Sequence, residues 1–173
     1  AYRKLMEDYK AQGALSVYDA GFITVDKQFL TIGINGMAEA AEFNNITASN
    51  NQAYKDFVSS QLKIIYQANQ DAKKQYGYMF NTEFVPAENL GIKNAKWDRK
   101  DGYQVNRDCY NSYFYLVEDE ETNHLDKFVL HGKEITQYLD GGSALHLNLD
   151  EALSTEAYLK LFNVAAATGC NYF

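Results

Sequence analysis

The chain has 173 residues, of which 46% are hydrophobic and 23% charged, a composition typical of one globular domain. Its formal net charge of −7 argues against a nucleic-acid backbone as the main partner, because phosphate binding needs a basic surface. No apolar run reaches the roughly 18 residues of a membrane span, and no signal-peptide pattern stands at the start. The two cysteines, Cys109 and Cys170, suit a reducing compartment, so we expect a cytoplasmic protein.

Both ends of the sequence suggest a portion of a longer polypeptide. The chain opens on Ala1 and enters a charged helical pattern at once, and it closes on the apolar run 171–173. We therefore expect one domain over residues 1–173, or part of one.

The first half of the chain alternates helical and extended patterns. Residues 3–12 predict a helix, and the run 28–34 predicts a strand that breaks at Asn35 and Gly36. Residues 37–43 return to a helical pattern.

A long amphipathic helix is predicted next. Ser49 and Gln52 form a capping-box pattern at its start, and Tyr76–Gly77 ends it. A strand follows over 78–84, and Pro86 fits the first turn of a short helix.

The second half continues the alternation. Its predicted elements are a polar loop over 93–107, a strand over 110–117, a helix over 121–139, a turn at 140–142, a strand over 143–149, a helix over 155–168 between Ser154 and Gly169, and a strand that begins at 170.

These elements predict an α/β fold in which four or five βα units form a mostly parallel sheet or barrel. Ligands of such folds bind at the carboxyl ends of the strands. In this sequence those ends are 35–36, 82–89, 117–119 and 149–150.

Several common functional motifs are absent. There is no P-loop and no dinucleotide fingerprint, and the Gly33–Gly36 stretch is either a tight turn or an anion contact. The three histidines lack metal-ligand spacing and are interpreted as exposed or hydrogen-bonded side chains. Cys109, which precedes an aromatic run, is interpreted as a core residue rather than a nucleophile.

The segment 81–91, here called the proline segment, is the strongest candidate site. It contains the only proline of the chain and runs from a strand end into a helix start. Glu83 lies at the strand end, and the first-turn amides of Ala87, Glu88 and Asn89 could bind an anion. The same residues would also serve as a helix cap and turn, and the local chemistry leaves both interpretations open.

Four stretches of the chain, in the same order, resemble one family. They are TIGINGMAEAAEF (31–43), NTEFVPAENLG (81–91), DCYNSYFY (108–115) and LDGGSALHLNL (139–149). The chain resembles the large subunit of the anaerobic, class III ribonucleoside-triphosphate reductases of bacteria and T4-like phages. The resemblance runs nearly end to end and covers a portion of the C-terminal half of that subunit.

The resemblance implies a fold and a chemistry. The fold is part of a ten-stranded β/α barrel of the glycyl-radical enzyme type. The chemistry is reduction of the ribonucleotide 2′-OH by a thiyl radical, which a glycyl radical generates, with formate as reductant. An activase that uses S-adenosylmethionine and an iron–sulfur cluster makes the glycyl radical. The complete enzyme is expected to be an allosteric homodimer that contains structural zinc.

The reactive groups of that family lie outside these residues. The resemblance places the thiyl cysteine before Ala1 and the zinc site and radical glycine after Phe173. Cys109 and Cys170 therefore do not inherit the radical role, and no catalytic residue, metal ligand or bound cofactor is expected here. The isolated chain is expected to be inactive.

What the chain is expected to supply is barrel wall and part of the pocket for a ribonucleoside triphosphate. The expected substrate-binding residues are Glu83, Pro86, Ala87, Glu88 and Asn89, with Asn35 and Gly36 bordering the same cavity. Two alternatives stay open: a fragment of a formate-lyase-type glycyl-radical enzyme, and a non-catalytic split-gene module that assembles with a partner chain.

Overall fold

The computed structural model describes residues 1–119, 122–149 and 151–173. It contains both helices and a parallel sheet, as the sequence predicted. The helices are α1 (Tyr2–Ala11), α2 (Ser16–Asp19), α3 (Met37–Phe43), α4 (Gln52–Tyr76), α5 (Glu88–Lys100), α6 (His124–Leu130), α7 (Lys133–Thr136) and α8 (Thr155–Thr168), with a 3₁₀ turn at Val25–Lys27. The strands are β1 (Phe29–Ile34), β2 (Met79–Phe84) and β3 (Gly142–Ser143).

The three strands form one parallel sheet in the order β1-β2-β3. The whole of β1 pairs with β2, from Phe29 opposite Met79 to Ile34 opposite Phe84. The pair β2–β3 is short, with Glu83 opposite Gly142. The parallel arrangement confirms the predicted βα units, since parallel neighbouring strands need crossover connections such as α3 and α4.

Helix α4 packs on one face of the sheet and determines which side chains lie on which face. Its buried side chains include Tyr54, Val58 and Leu62. Asn69 Nδ2 donates to Thr82 Oγ1 over 2.7 Å, which places Thr82 on the helix side of β2. Because side chains alternate along a strand, Glu83 points to the opposite face.

Helix termini explain several boundaries. The predicted capping box at Ser49 and Gln52 is wrong: Asn51 caps α4, and its side chain accepts a bond from the Tyr54 amide. The stop at Gly77 is confirmed, with φ +67° in the left-handed region. For α8, the Ser154 cap and the Gly169 stop are both confirmed.

The proline segment begins its helix later than predicted. Ala87 is the N-cap of α5 and Pro86 precedes it, so the proline lies outside the first turn. The predicted polar loop over 93–107 is half wrong, because α5 continues to Lys100.

The second half of the chain is less regular than predicted. The expected strand over 110–117 consists of bends and turns. The expected helix over 121–139 is divided at Gly132 into α6 and α7, and its residue 121 lies outside the described part. A Cβ at Gly132 would lie 2.7 Å from the Thr168 carbonyl oxygen, so close packing of α8 requires glycine there.

Two predicted strands have little or no ladder. The strand expected over 143–149 is reduced to Gly142–Ser143, and residues 170–173 form no strand. A single bond from the Leu145 amide to the Tyr172 carbonyl joins these two stretches. The turn at Asp140 is confirmed by the bond from the Gly142 amide to the Leu139 carbonyl, 3.0 Å long.

No helix of the described residues is both long enough and apolar enough to cross a bilayer. The single-domain prediction stays a prediction.

Candidate functional site

The site is built where β1 and β2 end side by side. Asn35 and Gly36 follow β1, while Pro86 and Ala87 follow β2, and the Val85 amide still bonds to the Ile34 carbonyl over 3.2 Å. Gly36 has φ +80° and is the N-cap of α3, which is a backbone conformation that glycine adopts without strain. The parallel register therefore brings two predicted site stretches to one edge of the sheet.

A third stretch of chain joins these two ends. Residues 110–112, here called the bridging segment, lie against both strand ends. Ser112 Oγ accepts one bond from Asn35 Nδ2 at 2.9 Å and another from the Ala87 amide at 3.0 Å. The Gly36 amide donates to the Asn111 carbonyl over 2.9 Å. The sequence-predicted residues Asn35 and Ala87 thus share one serine hydroxyl.

The bridging segment is itself held by a carboxylate on α3. Glu39 Oε1 accepts bonds from the Asn111 amide (2.9 Å) and from Asn111 Nδ2 (2.7 Å). Asn111 Oδ1 accepts from the Val117 amide over 3.0 Å, which closes the turn that follows. Arg107 lies beside this carboxylate and bonds Glu42 in a bidentate pair.

Three buried side-chain oxygens of the site have no partner among the described residues. They are Asn35 Oδ1, Glu39 Oε2 and Asn81 Oδ1. An unpaired buried acceptor costs about 1–3 kcal/mol, so a donor delivered to any of these oxygens would stabilise the site.

The first turn of α5 offers fewer free amides than predicted. Of the three amides expected to face an anion, that of Ala87 donates to Ser112 Oγ. The amides of Glu88 and Asn89 have no acceptor among the described residues, while those of Leu90 and Gly91 bond the Ala87 carbonyl. Two donors at the positive end of a 13-residue helix therefore stay available.

Glu83 is half-buried on the open face of the sheet, the face opposite α4. Its neighbours across the sheet are glycines on both sides, Gly33 on β1 and Gly142 on β3. No side chain of either neighbour covers the carboxylate, and no hydrogen bond to it forms among the described residues. A Cβ at Gly141 would lie 2.8 Å from the Thr82 carbonyl and 3.1 Å from Glu83 Cβ, so the close packing of residue 141 against β2 requires glycine there.

The seven predicted residues do not all border one cavity. A cavity of about 960 Å³ opens between α3, α5 and residues 103–110, and Asn35 and Gly36 line it. Glu83, Pro86 and residues 87–89 do not. In the part of the chain that the structure describes, Glu83 faces the open side of the sheet, and Pro86, Glu88 and Asn89 are exposed at the start of α5.

Neither cysteine has the setting of a nucleophile. Cys109 Sγ donates to the Glu88 carbonyl over 3.4 Å, and burial, followed by the Glu88 carboxylate, raises the pKa of its thiol. Cys170 is buried, and burial raises the pKa of its thiol too. Both thiols are therefore held in the protonated form, the less reactive one.

No group of three or more His, Cys, Asp or Glu side chains is placed to hold a metal ion within residues 1–119, 122–149 and 151–173. His131 is buried and lies 3.0 Å from Ser143 Oγ, while His124 and His146 are exposed. Each histidine is thus exposed or hydrogen-bonded, as predicted.

Sequence reasoning missed Ser112, Asn111 and Glu39. The bridging segment is predicted as a strand, and its partners lie more than 20 residues away: 25 for Ser112 with Ala87 and 72 for Asn111 with Glu39. The one local signal was the polar pair at 111–112 inside an otherwise aromatic run.

Gly91 keeps the bridging segment close to α5, and this can be tested. A Cβ at position 91 would lie 2.5 Å from the Tyr110 carbonyl oxygen and 3.0 Å from Cys109 Sγ. We expect Gly91→Ala to lower the free energy of unfolding in urea by about 1–3 kcal/mol, because overpacking outweighs the gain of about 1 kcal/mol in helix propensity. Lys93→Ala, on the exposed side of α5, is the control, expected within about 0.5 kcal/mol of wild type. A Gly91→Ala variant as stable as wild type would contradict the tight contact.

Comparisons with known proteins support the family resemblance. The family model described as anaerobic ribonucleoside-triphosphate reductase matches residues 1–173. No curated protein matches the chain. A solved anaerobic ribonucleotide reductase shares 26% identity with a TM-score of 0.88, covering 99% of this chain and 29% of that one.

Structures of the Thermotoga maritima reductase are also similar. The one with glycerol in the active site has a TM-score of 0.85 at 26% identity, covering 96% of this chain and 28% of that one. The one with dATP bound in the specificity site has a TM-score of 0.82 at 25% identity, covering 96% and 29%. The chain therefore spans less than a third of the length of these relatives. The match favours the reductase over the formate-lyase alternative.

Proposed function

The chain belongs to the anaerobic ribonucleoside-triphosphate reductase family, and on this premise we propose that it forms part of the substrate pocket of such an enzyme. The complete polypeptide would reduce ribonucleoside triphosphates to deoxyribonucleotides by radical chemistry, with formate as reductant. One observation carries the proposal: the ends of β1 and β2, the free amides of α5 and the Glu83 carboxylate all lie at one edge of a parallel sheet. This edge is where α/β folds bind their ligands.

The charges of the site suggest how a nucleotide would lie in it. Carboxylates repel a triphosphate, so Glu83 and Glu88 are unsuited to bind phosphate through their side chains. The backbone amides of Glu88 and Asn89 carry the positive end of the α5 dipole and suit a phosphate oxygen. Glu83, an acceptor on the open face, suits a hydroxyl of the ribose.

Pro86 and Ala87 would act through the backbone. The fixed φ of proline restricts the turn between β2 and α5. The bond from the Ala87 amide to Ser112 then fixes the first turn of the helix. Asn35, which with Gly36 lines the separate cavity beside α3, would act on the pocket through its bond to Ser112 Oγ.

The groups that perform the radical step would come from outside this chain. The family resemblance implies a glycyl radical, a thiyl cysteine, structural zinc and an activase with an iron–sulfur cluster. The residues present do not fit a zinc site, because the two cysteines make separate contacts to backbone carbonyls of Glu88 and Tyr172. We therefore assign no radical or metal role to Cys109 or Cys170.

The proposed partners are the remainder of the reductase subunit, a second subunit and the activase. Support for nucleotide binding comes from the Thermotoga maritima relative solved with dATP in its specificity site. A cytoplasmic location is part of the same proposal, since the substrates are nucleotides. Deoxyribonucleotide formation by the complete polypeptide under anaerobic conditions tests the proposed function.

A further inference from the structure

We propose that Ser112 is the positioning residue of the substrate pocket: its hydroxyl holds the amide end of α5 in register with Asn35, so that the Glu88 and Asn89 amides meet the nucleotide phosphate. This inference rests on the proposed function. It concerns a residue far in sequence from the proline segment.

The Ser112 hydroxyl lies between the ends of two strands. Ser112 Oγ accepts from Asn35 Nδ2 at 2.9 Å and from the Ala87 amide at 3.0 Å, so one atom connects the ends of β1 and β2. Ala87 is the N-cap of α5 and has no side-chain oxygen with which to cap the helix. The serine hydroxyl therefore fixes the residue that directly precedes the two free amides.

Ser112 is held in place by its surroundings. It is 5% exposed, and the adjacent Asn111 is 6% exposed. Asn111 is bonded through its amide and side chain to Glu39, and its carbonyl accepts from Gly36. The buried, hydrogen-bonded Asn111 thus holds the adjacent Ser112 hydroxyl in position. Such precision matters because a placement error of about 1 Å can cost about 100-fold in rate.

The first amides of α5 divide into one that is bonded and two that are free. At the start of α5 the Ala87 amide is used by Ser112, whereas the amides of Glu88 and Asn89 have no acceptor among the described residues. The bond thus orients the helix end and leaves the two following donors for a ligand. One side-chain oxygen satisfies only one of the four N-terminal donors of a helix, and the exposed Glu88 and Asn89 are open to water or a ligand.

The experiment compares Ser112→Ala with two other variants. Ser112→Thr keeps the hydroxyl and serves as the conservative variant. Ser143→Ala removes another buried hydroxyl, the one bonded to His131, and controls for loss of stability alone. Amide hydrogen exchange and the KM and kcat for the ribonucleotide are all measured on the complete reductase polypeptide.

In Ser112→Ala we expect exchange of the Ala87 amide at least tenfold faster and a KM raised by about tenfold, with a smaller change in kcat. Ser112→Thr should restore both values to within about threefold of wild type, and Ser143→Ala should change neither. Unchanged exchange in Ser112→Ala overturns the positioning role, and so does faster exchange with an unchanged KM. A wild-type polypeptide that reduces no nucleotide would instead overturn the proposed function, while the exchange result would still decide whether Ser112 holds the helix end.

Discussion

Replacing Glu83 by Gln is expected to lower kcat/KM for ribonucleotide reduction by about 10- to 100-fold in the complete enzyme. The carboxylate lies on the open face of the sheet between Gly33 and Gly142. A hydrogen bond to a charged group contributes about 1.5–3 kcal/mol, and about 1.4 kcal/mol corresponds to a factor of ten. The amide keeps the shape of the side chain and removes its charge, so the loss reports the interaction with substrate.

Two companion variants make this experiment specific. Asn89→Ala should raise KM by a smaller factor, because its side chain is exposed and its backbone amide remains. Glu156→Gln, on the exposed side of α8 where it pairs with Lys160, is the control and should behave as wild type. If Glu83→Gln and Asn89→Ala both leave nucleotide affinity and turnover unchanged, the site assignment is wrong.

Acid is expected to destabilise the chain through His131. The ring is 1% exposed, and Tyr113, Phe114 and Tyr115 surround it, with Nδ1 3.0 Å from Ser143 Oγ. Burial, and after it the nearby His146, lowers the pKa of His131 from 6.5 to about 3. At pH values between these two pKa values, His131 is therefore protonated in the unfolded chain and neutral in the folded chain.

The sign of the pH effect follows from this difference. Stability from the neutral ring is fully present above the unfolded pKa near 6.5 and is lost as the pH falls toward the folded pKa. We expect His131 to contribute a slope of about 1.4 kcal/mol per pH unit to the free energy of unfolding between pH 6 and 4. Urea denaturation at a series of pH values measures it.

Two histidine variants separate His131 from the other titrating groups. His131→Gln should flatten the slope between pH 6 and 4 by about one proton equivalent. His124→Gln, which removes an exposed histidine at the start of α6, is the matched control. Should His131→Gln fold poorly, the ring nitrogen shifts of wild type decide: titration of His131 near pH 6.5 in the folded chain would contradict its burial as a neutral ring.

Local sequence signals predicted the first half of the fold. The apolar run of β1, the amphipathic period of α4 and the glycine after Tyr76 each determine their element by local chemistry. The capping residue of α4 was missed because Ser49 and Asn51 both favour that position. Asn51 has the geometry to reach the Tyr54 amide.

The second half could not be predicted in the same way. The aromatic run 110–117 has the composition of a strand, but its polar pair 111–112 bonds to α3 and to the ends of β1 and β2 instead of to a neighbouring strand. The run 121–139 has one apolar face, but α8 packs against the backbone of Gly132 and ends the first helix there. In both cases distant contacts override local propensity.

For the candidate site, the strand ends could be predicted from the sequence, but the residues that hold them together could not. Glu83, Asn35 and the α5 amides could be placed from the pattern of strands and from the proline. Glu39 and Ser112, which hold these elements together, are brought to the site only by the fold. The sheet register is also what places Gly33 and Gly142 on either side of Glu83.

Deoxyribonucleotide formation decides whether the complete polypeptide is a ribonucleotide reductase. The complete polypeptide, supplied with the proposed activase, S-adenosylmethionine and formate under anaerobic conditions, should convert a ribonucleoside triphosphate to its deoxy form. Residues 1–173 alone should produce none under the same conditions. Turnover by the isolated chain, or an activated complete polypeptide that reduces no ribonucleotide, would contradict the account.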